Sequence, residues 1–132
     1  MPDMVEVVID SVRVSLMSSQ RVVVLRQVEA ERYLPIWVGA VEATAIAYAQ
    51  QGIVPPRPLT HDLLRDILEA LGVTLAEVRI TSLQEGVFYA LLVFSNGVEV
   101  SARPSDAIAV AVTCEPNLPI YVAEEVLSDV LG

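Results

Sequence analysis

The sequence predicts an α+β fold in which a mixed, mainly antiparallel sheet packs with about four helices in a single compact domain. Three observations support this prediction. Segments with two-residue hydrophobic alternation are grouped into hairpins, whereas a parallel α/β fold would alternate each strand with a helix. The composition, 54% hydrophobic and 19% charged residues, is that of a globular protein. A length of 132 residues is typical of one domain, so we expect one domain over residues 1–132.

The N-terminal part of the chain predicts three strands. Alternating apolar residues from 4 to 16 predict a long first strand, and Ser18-Ser19-Gln20 turns the chain into a second strand over residues 21–28. Residues 33–38 form the third predicted strand. Because Pro35 has no N–H to donate, this strand must place it where the sheet needs no donor.

Two helices are predicted after the third strand. Gly39 ends that strand, and the alanine-rich segment 40–51 predicts a closely packed helix. A proline-rich connector leads to a second helix, which Thr60 is expected to cap and Gly72 to end. The apolar residues of this helix share one face, opposite its charged residues. They are Leu63, Leu64, Ile67, Leu68 and Leu71, opposite Asp62, Arg65, Asp66 and Glu69.

The C-terminal half predicts a meander and two further helices. Strands over residues 78–83 and 87–94 flank a short turn, and Asn96-Gly97 is a strong hairpin signal. The remaining predicted elements are a strand over 98–101, an apolar helix that starts near Pro104, a short strand over 120–122 and an amphipathic helix over 123–131.

The start of the apolar helix, Arg103-Pro104-Ser105-Asp106, is the first candidate site. Proline suits the first helical turn, and the segment from Ala107 to Val112 is apolar on every side, so we expect a sheathed helix whose tip alone faces water. An arginine, the Ser105 hydroxyl, an acid and free backbone N–H groups at one tip could bind a phosphate. The alternative is a well-capped core helix that binds nothing.

Charge and hydropathy restrict the partners. The net charge is −9 with eight arginines and no lysine, so nucleic acid would be repelled unless the arginines cluster or a cation intervenes. The chain has more apolar residues than a monomer of this size readily buries, and its mean hydropathy of +0.56 agrees with this. Both observations predict a homodimer or a larger homo-oligomer. The aromatic residues, Trp37 with Tyr33, Tyr48, Tyr89 and Tyr121, are expected in the core or an interface rather than as a base-stacking platform.

The sequence also predicts where the protein acts. No apolar run approaches the roughly 20 residues that cross a bilayer, and the first residues do not resemble a signal peptide, so no membrane association and a cytoplasmic location are expected. Cys114, the one cysteine, cannot form an internal disulfide and is expected to be a small buried side chain.

Three segments together resemble the bifunctional nuclease domain family. They are Leu-Pro-Ile-Trp-Val-Gly at 34–39 with Glu42-Ala43, Arg-Pro-Leu-Thr-His-Asp-Leu-Leu at 57–64, and Arg-Pro-Ser-Asp-Ala-Ile-Ala at 103–109. The resemblance implies an α+β domain that self-associates and, as in some members, degrades RNA and DNA. Many relatives carry an acid two residues before the arginine, where this chain has Ser101, so one candidate carboxylate is missing.

Phosphodiester cleavage needs a base or a metal-activated water and a cation that stabilises the phosphorane. Arg103 could hold the phosphate, Asp106 and Glu42 could ligate Mg²⁺ or Mn²⁺, and His61 could act as base or acid. Each residue also has a structural explanation, because each stands at a helix start and Arg103 could simply pair with Asp106. The alternative function is therefore a non-catalytic, oligomeric ligand-binding or scaffolding protein. Convergence of these residues in one cleft would favour the enzyme.

Overall fold

A computed structural model describes residues 3–14, 20–54, 56–115 and 118–131. Within these ranges the chain forms seven strands and four helices. In chain order they are β1 (Met4–Val14), β2 (Arg21–Gln27), β3 (Tyr33–Val38), α1 (Ala40–Gln51), α2 (Thr60–Ala70), β4 (Leu75–Gln84), β5 (Val87–Phe94), β6 (Glu99–Ala102), α3 (Pro104–Cys114), β7 (Ile120–Ala123) and α4 (Glu124–Leu131).

The seven strands form one sheet in the order β3-β2-β1-β7-β4-β5-β6. Neighbouring strands are antiparallel except β4 and β7, which are parallel, so the predicted mixed, mainly antiparallel α+β fold is confirmed. One cluster of buried side chains joins the sheet to the helices. None of the described helices has the length and apolar character needed to cross a membrane.

The predicted strands are all present, with ends that differ by up to three residues among the described residues. The position of Pro35 and the burial pattern of β1 each have a physical cause. Pro35 lies on β3, an edge strand, where a missing N–H leaves fewer partners unsatisfied. A register shift between Ile9 and Ser11 moves the inward positions of β1 from odd to even numbers, so Val12 follows Ile9 into the core. The predicted end of the first strand and most of its turn, residues 15–19, lie outside the described residues.

Helices α1 and α3 match their predictions. Gly39 precedes α1, and Gly52 ends it with φ 69°, a conformation that glycine adopts without steric cost. Arg103 is the N-cap residue of α3 and Pro104 its first helical residue. The segment from Ala107 to Val112 is buried throughout, and α3 packs against α1, α2 and the sheet. Cys114 is half-buried at the last turn of α3.

Helix α2 differs from its prediction in two ways. Thr60 is not the cap: the N-cap residue is Leu59, whose backbone N–H donates to Asp62 Oδ2 at 2.9 Å. The polar side of α2, with His61 and Asp62 buried, is turned to the protein, and Leu68 alone of the five apolar residues packs against the core. The other four, Leu63, Leu64, Ile67 and Leu71, are exposed. An amphipathic pattern predicts an apolar stripe, but the pattern does not state what covers the stripe.

Of the aromatic residues expected in the core or an interface, Trp37, Tyr33 and Tyr89 lie outside the core, since they are exposed. On β3, Leu34 and Ile36 are buried, so the alternating residues Tyr33 and Trp37 point to the opposite face of the sheet. We call that face the open face.

Candidate functional site

Three helix starts meet at one place and bring the four predicted catalytic residues together. Glu42 lies in the first turn of α1, His61 in that of α2, and Asp106 in that of α3, directly after the N-cap residue Arg103. Arg103 contacts Glu42, and His61 contacts Asp106. We call these four residues the helix-start cluster. The sequence suggested their chemistry, but only the packing of α1 and α2 on α3 joins them.

The carboxylate of Asp106 is the centre of the cluster. Its Oδ1 lies 3.2 Å from His61 Nε2, and its Oδ2 accepts hydrogen bonds from Arg103 Nε at 2.9 Å and Nη2 at 2.6 Å. Partial burial raises the pKa of Asp106, but the hydrogen bonds and charges of Arg103 and His61 outweigh it, so the pKa lies below its usual value. Asp106 is therefore a carboxylate at neutral pH.

Arg103 is the solvent-facing member of the cluster, with 72% of its side chain exposed. Its Nη2 lies 3.5 Å from Glu42 Oε1 and also bonds Asp106, and the hydrogen bond to Asp106 raises the pKa of the guanidinium. No described residue bonds its Nη1 group. Arg103 can therefore present N–H donors to a bound anion while it keeps its contact with Asp106.

His61 is the buried member, with 4% of its surface exposed. Its backbone carbonyl accepts a hydrogen bond from Thr113 Oγ1 at 3.5 Å. His61 Nε2 faces the Asp106 carboxylate, and within the described part of the chain the other ring nitrogen, Nδ1, has no hydrogen-bond partner. Because the ring is buried, it is linked to the exposed part of the cluster through its contact with Asp106.

Two further polar residues lie beside the cluster, the predicted phosphate-binding Ser105 and Asp62. Ser105 is buried, so its hydroxyl does not form part of an exposed helix tip. Asp62, the third helical residue of α2 as Glu42 and Asp106 are of α1 and α3, turns away: its Oδ1 lies 3.6 Å from Arg65 Nη1. The exposed groups at the start of α3 are thus Arg103 and part of Asp106.

Gly39 is a contributor that the sequence reasoning did not identify as functional. A Cβ atom added at this residue would lie 2.5 Å from Glu42 Oε2, which is closer than real contacts allow. The missing side chain therefore lets the Glu42 carboxylate fold back over the helix start, where it meets Arg103. The signal was present in the sequence as a glycine three residues before an acid at a helix start.

Within the described part of the chain, the predicted metal ligands Glu42 and Asp106 both contact Arg103. The guanidinium of Arg103 lies between Glu42 and Asp106, where it takes the place of the cation that two carboxylates would share. Across the described ranges, no group of three or more His, Cys, Asp or Glu side chains is arranged to hold a metal ion. Arg103 therefore offsets part of the negative charge of the predicted ligand pair, and the use of a metal ion stays a prediction.

A cavity of about 400 Å³ lies between α1, the connector after it and α2, and it does not coincide with the cluster. Its charged lining residues are Asp62 and Arg65. They are bonded to each other and to backbone groups at Leu59 and Thr113, so the cavity holds no unpaired charge among its described residues. The chemistry, and not the cavity, therefore locates the candidate site.

The helix-start cluster has the electrostatics of an anion site. Each helix start carries roughly half a positive charge from its free N–H groups, and three such starts converge beside the Arg103 guanidinium. The carboxylates of Glu42 and Asp106 oppose these charges. Because these opposing charges nearly balance, the two carboxylates do not strongly repel a singly charged phosphodiester, which can accept hydrogen bonds from Arg103.

Comparison with known proteins agrees with the resemblance. The family model described as Bifunctional nuclease domain matches residues 23–131. This chain belongs to the bifunctional nuclease domain family. The match to the bifunctional nuclease domain covers all four residues of the helix-start cluster.

This bifunctional nuclease domain is similar in sequence to two kinds of relative. It is 54% identical over 123 residues to an uncharacterized protein of Mycobacterium tuberculosis strain H37Rv, an alignment that covers 93% of this chain and 74% of the relative. It is 28% identical over 95 residues to Bifunctional nuclease 1 of Oryza sativa subsp. indica, with 67% of this chain and 28% of the rice protein covered.

Proposed function

We propose that this protein is a phosphodiesterase that cleaves RNA, DNA or both at the helix-start cluster. The observation that supports the proposal most directly is the convergence of Arg103, Asp106, His61 and Glu42 where three helix starts meet, with Arg103 exposed to solvent. The distant relative named Bifunctional nuclease 1 agrees with it. The cytoplasmic location stays a prediction.

The proposed reaction is hydrolysis of one phosphodiester bond. Arg103 binds a non-bridging phosphate oxygen and stabilises the charge that develops on the phosphorane. A water oxygen bonds to phosphorus while the bond to the leaving nucleotide oxygen breaks. Asp106 takes the proton of that water, and the leaving oxygen takes a proton from solvent.

Phosphate binding also makes Asp106 a better base. The low pKa of this carboxyl comes largely from the hydrogen bonds of Arg103 and His61. When a phosphate binds to the Nη1 group of Arg103, its negative charge offsets the charge of the guanidinium beside Asp106, so the pKa of Asp106 rises. His61 keeps the carboxylate oriented during this change. No step requires Mg²⁺ or Mn²⁺, because Arg103 occupies the space between the two predicted ligands.

The test is cleavage of end-labelled single-stranded RNA and DNA by the purified protein, with Mg²⁺ or Mn²⁺ and with a chelator. Arg103→Ala and Asp106→Ala should each lower the rate by about 100-fold or more. Arg79→Ala is the matched control, because Arg79 also pairs with a carboxylate, Glu77, but lies on β4 outside the cluster. Cleavage that survives in the Arg103 and Asp106 variants would overturn the proposal. Cleavage only with metal would overturn its metal-free form.

The role of His61 has its own readout. His61→Ala removes a hydrogen bond that lowers the pKa of Asp106, so the acidic limb of the pH–rate profile should shift to higher pH. A lower rate with an unchanged profile would point to a merely structural role.

The second candidate is a non-catalytic, oligomeric ligand-binding or scaffolding protein. Two observations favour it: His61 is buried, and at least five of the eight arginines pair with carboxylates of the described residues rather than forming one basic surface. A pure preparation that cleaves neither substrate under any condition would establish this alternative over the enzyme.

A further inference from the structure

The edge strand β3 carries a row of ring side chains on the open face of the sheet. Tyr33 is 40% exposed and Trp37 is 62% exposed, and Pro35 between them is exposed as well. Leu34 and Ile36 are buried, so the three rings alternate with core residues. Aromatic rings that face solvent in a row on one strand are a surface on which the bases of a nucleic acid can stack. We call Tyr33, Pro35 and Trp37 the ring track.

We propose that the ring track binds the bases of single-stranded RNA or DNA and leads the strand to the helix-start cluster. The proposal rests on the proposed function, because it takes nucleic acid as the substrate. It adds the residues that contact the bases and a preference for single strands. The bases of a duplex are stacked and paired with each other, so their faces are not open to the rings.

The spacing of the ring track suits a nucleic acid strand. Alternate residues of an antiparallel β-strand lie about 6.8 Å apart, which is twice the roughly 3.4 Å between successive bases of one stacked strand. Tyr33, Pro35 and Trp37 therefore stand at intervals that match every second base. Stacking requires only a flat face on the base, so these contacts do not select a particular base.

The ring track ends beside the helix-start cluster. Trp37 is two residues before Gly39, so at most about 7 Å of backbone separates them. A Cβ atom at Gly39 would meet the Glu42 carboxylate, whose Oε1 lies 3.5 Å from Arg103 Nη2. Arg21 and the turn from β3 into α1 line a hollow of about 350 Å³ beside Trp37. Because β3 is an edge strand, a bound nucleic acid can follow it toward Arg103 without crossing another strand of the sheet.

An arginine on the same face supplies positive charge. Arg13 pairs with Val22 across the sheet, and Val22 pairs with Trp37, so Arg13 and Trp37 face the same side about 10 Å apart. The Arg13 guanidinium bonds the Ser11 hydroxyl at 3.0 Å and, among the described residues, no carboxylate. Arg13 can therefore bind a phosphate of a strand whose bases lie on the ring track. This charge favours a nucleic acid over an apolar partner as the occupant.

Stacking has to supply most of the affinity. The net charge of −9 opposes the approach of a polyanion, and Arg13 offsets it only locally. Loss of one stacking contact between a base and an aromatic ring typically weakens binding by about 5-fold to 150-fold. We therefore expect the rings, rather than the overall charge, to decide how tightly a strand binds.

The first experiment uses Trp37 as its own probe, because it is the one tryptophan of the chain. The protein is titrated with a single-stranded oligothymidylate of about ten nucleotides and with an abasic strand of equal length and charge. Only the oligothymidylate should quench the fluorescence of Trp37, because only a base can stack on the indole ring. Equal quenching by both strands, or none by either, would overturn the proposal. So would Trp37 emission that shifts with protein concentration alone, since a second copy would then cover the ring.

The second experiment measures the affinity of a labelled oligothymidylate by fluorescence anisotropy. Trp37→Ala should weaken binding by at least about fivefold, whereas Trp37→Phe should keep most of the affinity because an aromatic ring remains. Tyr89→Ala is the matched control, because Tyr89 is 45% exposed on β5, five strands away from β3. Unchanged circular dichroism spectra show that the variants fold. An equal loss of affinity in Tyr89→Ala, or no loss in Trp37→Ala, would contradict the ring track.

Binding and cleavage can fail separately. Base-dependent quenching by a protein that cleaves nothing would support the ring track and overturn the nuclease proposal, and cleavage without quenching would do the reverse. In a protein that cleaves, Trp37→Ala should raise KM for single strands and leave kcat nearly unchanged, because stacking is equally strong in the ground state and the transition state. A duplex of the same length should bind more weakly than the single strand, and tighter duplex binding would refute the predicted preference.

Discussion

Asp106 has two contacts in the helix-start cluster, one with Arg103 and one with His61. Replacing Asp106 tests whether burial or bond length decides which of the two contributes more to stability. The bond from Arg103 Nη2 is the shorter, at 2.6 Å against 3.2 Å for His61 Nε2. Arg103, however, is exposed to water, whereas the His61 side chain is 5% exposed. Water competes for the first bond and cannot reach the second partner, so we expect the longer bond to contribute more.

Double-mutant cycles measure the two contributions separately. The His61→Ala and Asp106→Ala pair should show a coupling energy of about 1–2 kcal/mol, the value of a hydrogen bond to a charged group reduced because Asp106 is one-third exposed. The Arg103→Ala and Asp106→Ala pair should show a coupling close to zero. Part of the first value is the cost of leaving His61 Nε2 buried without an acceptor.

The assay is urea unfolding followed by circular dichroism at neutral pH and at one protein concentration, because self-association would add to the apparent stability. Equal denaturant slopes across the variants show that the cycles compare the same transition. A coupling energy for Arg103 and Asp106 that equals or exceeds the coupling for His61 and Asp106 would refute the reasoning.

Four further predictions follow from the surroundings of single residues. The lowered pKa of Asp106 contributes stability that is present above the unfolded pKa of about 3.9 and lost as the pH falls through the lower folded pKa, so the stability difference between wild type and Asp106→Asn should shrink below about pH 4 in urea titrations. Gly39→Ala should displace the Glu42 carboxylate and lower cleavage while changing stability by about 0.5 kcal/mol or less. Gly52→Ala, strained at φ 69°, should instead cost about 1 kcal/mol and leave cleavage unchanged. Burial raises the pKa of Cys114, so its thiol should react with an aromatic disulfide reagent far more slowly in the native than in the urea-unfolded protein.

The sequence predicts best where a local signal has one structural meaning. The bounds predicted for α1 and β3 agree with the structure, because Gly39 breaks the chain between a two-residue and a helical periodicity. The register shift in β1 is visible as a change in the parity of its apolar residues. The orientation of α2 was not predictable in this way, since periodicity reports an apolar stripe whether the core or another molecule covers it.

The candidate site was predictable in its chemistry but not in its geometry. Glu42, His61 and Asp106 each stand in a first helical turn, where an acid or a polar residue has a local explanation. Their contacts join residues 45 and more positions apart along the chain. Such contacts depend on helix packing, which single-sequence patterns do not encode.

The burial of α3 explains why these residues meet at all. The N–H groups in the first turn of α3 have no partner inside the helix, although the rest of the helix is buried. They need hydrogen-bond partners from outside the helix, so the start of α3 lies where neighbouring elements leave an opening. Here the opening is formed by the starts of α1 and α2, which add their own positive ends and require the carboxylates of Glu42 and Asp106 to balance them. Arg103, the N-cap residue of α3, contacts both carboxylates from the solvent side. The burial of one apolar helix thus accounts for the polar cluster at its start. An anion that binds Arg103 therefore changes the charge beside the contacts that join the three helix starts.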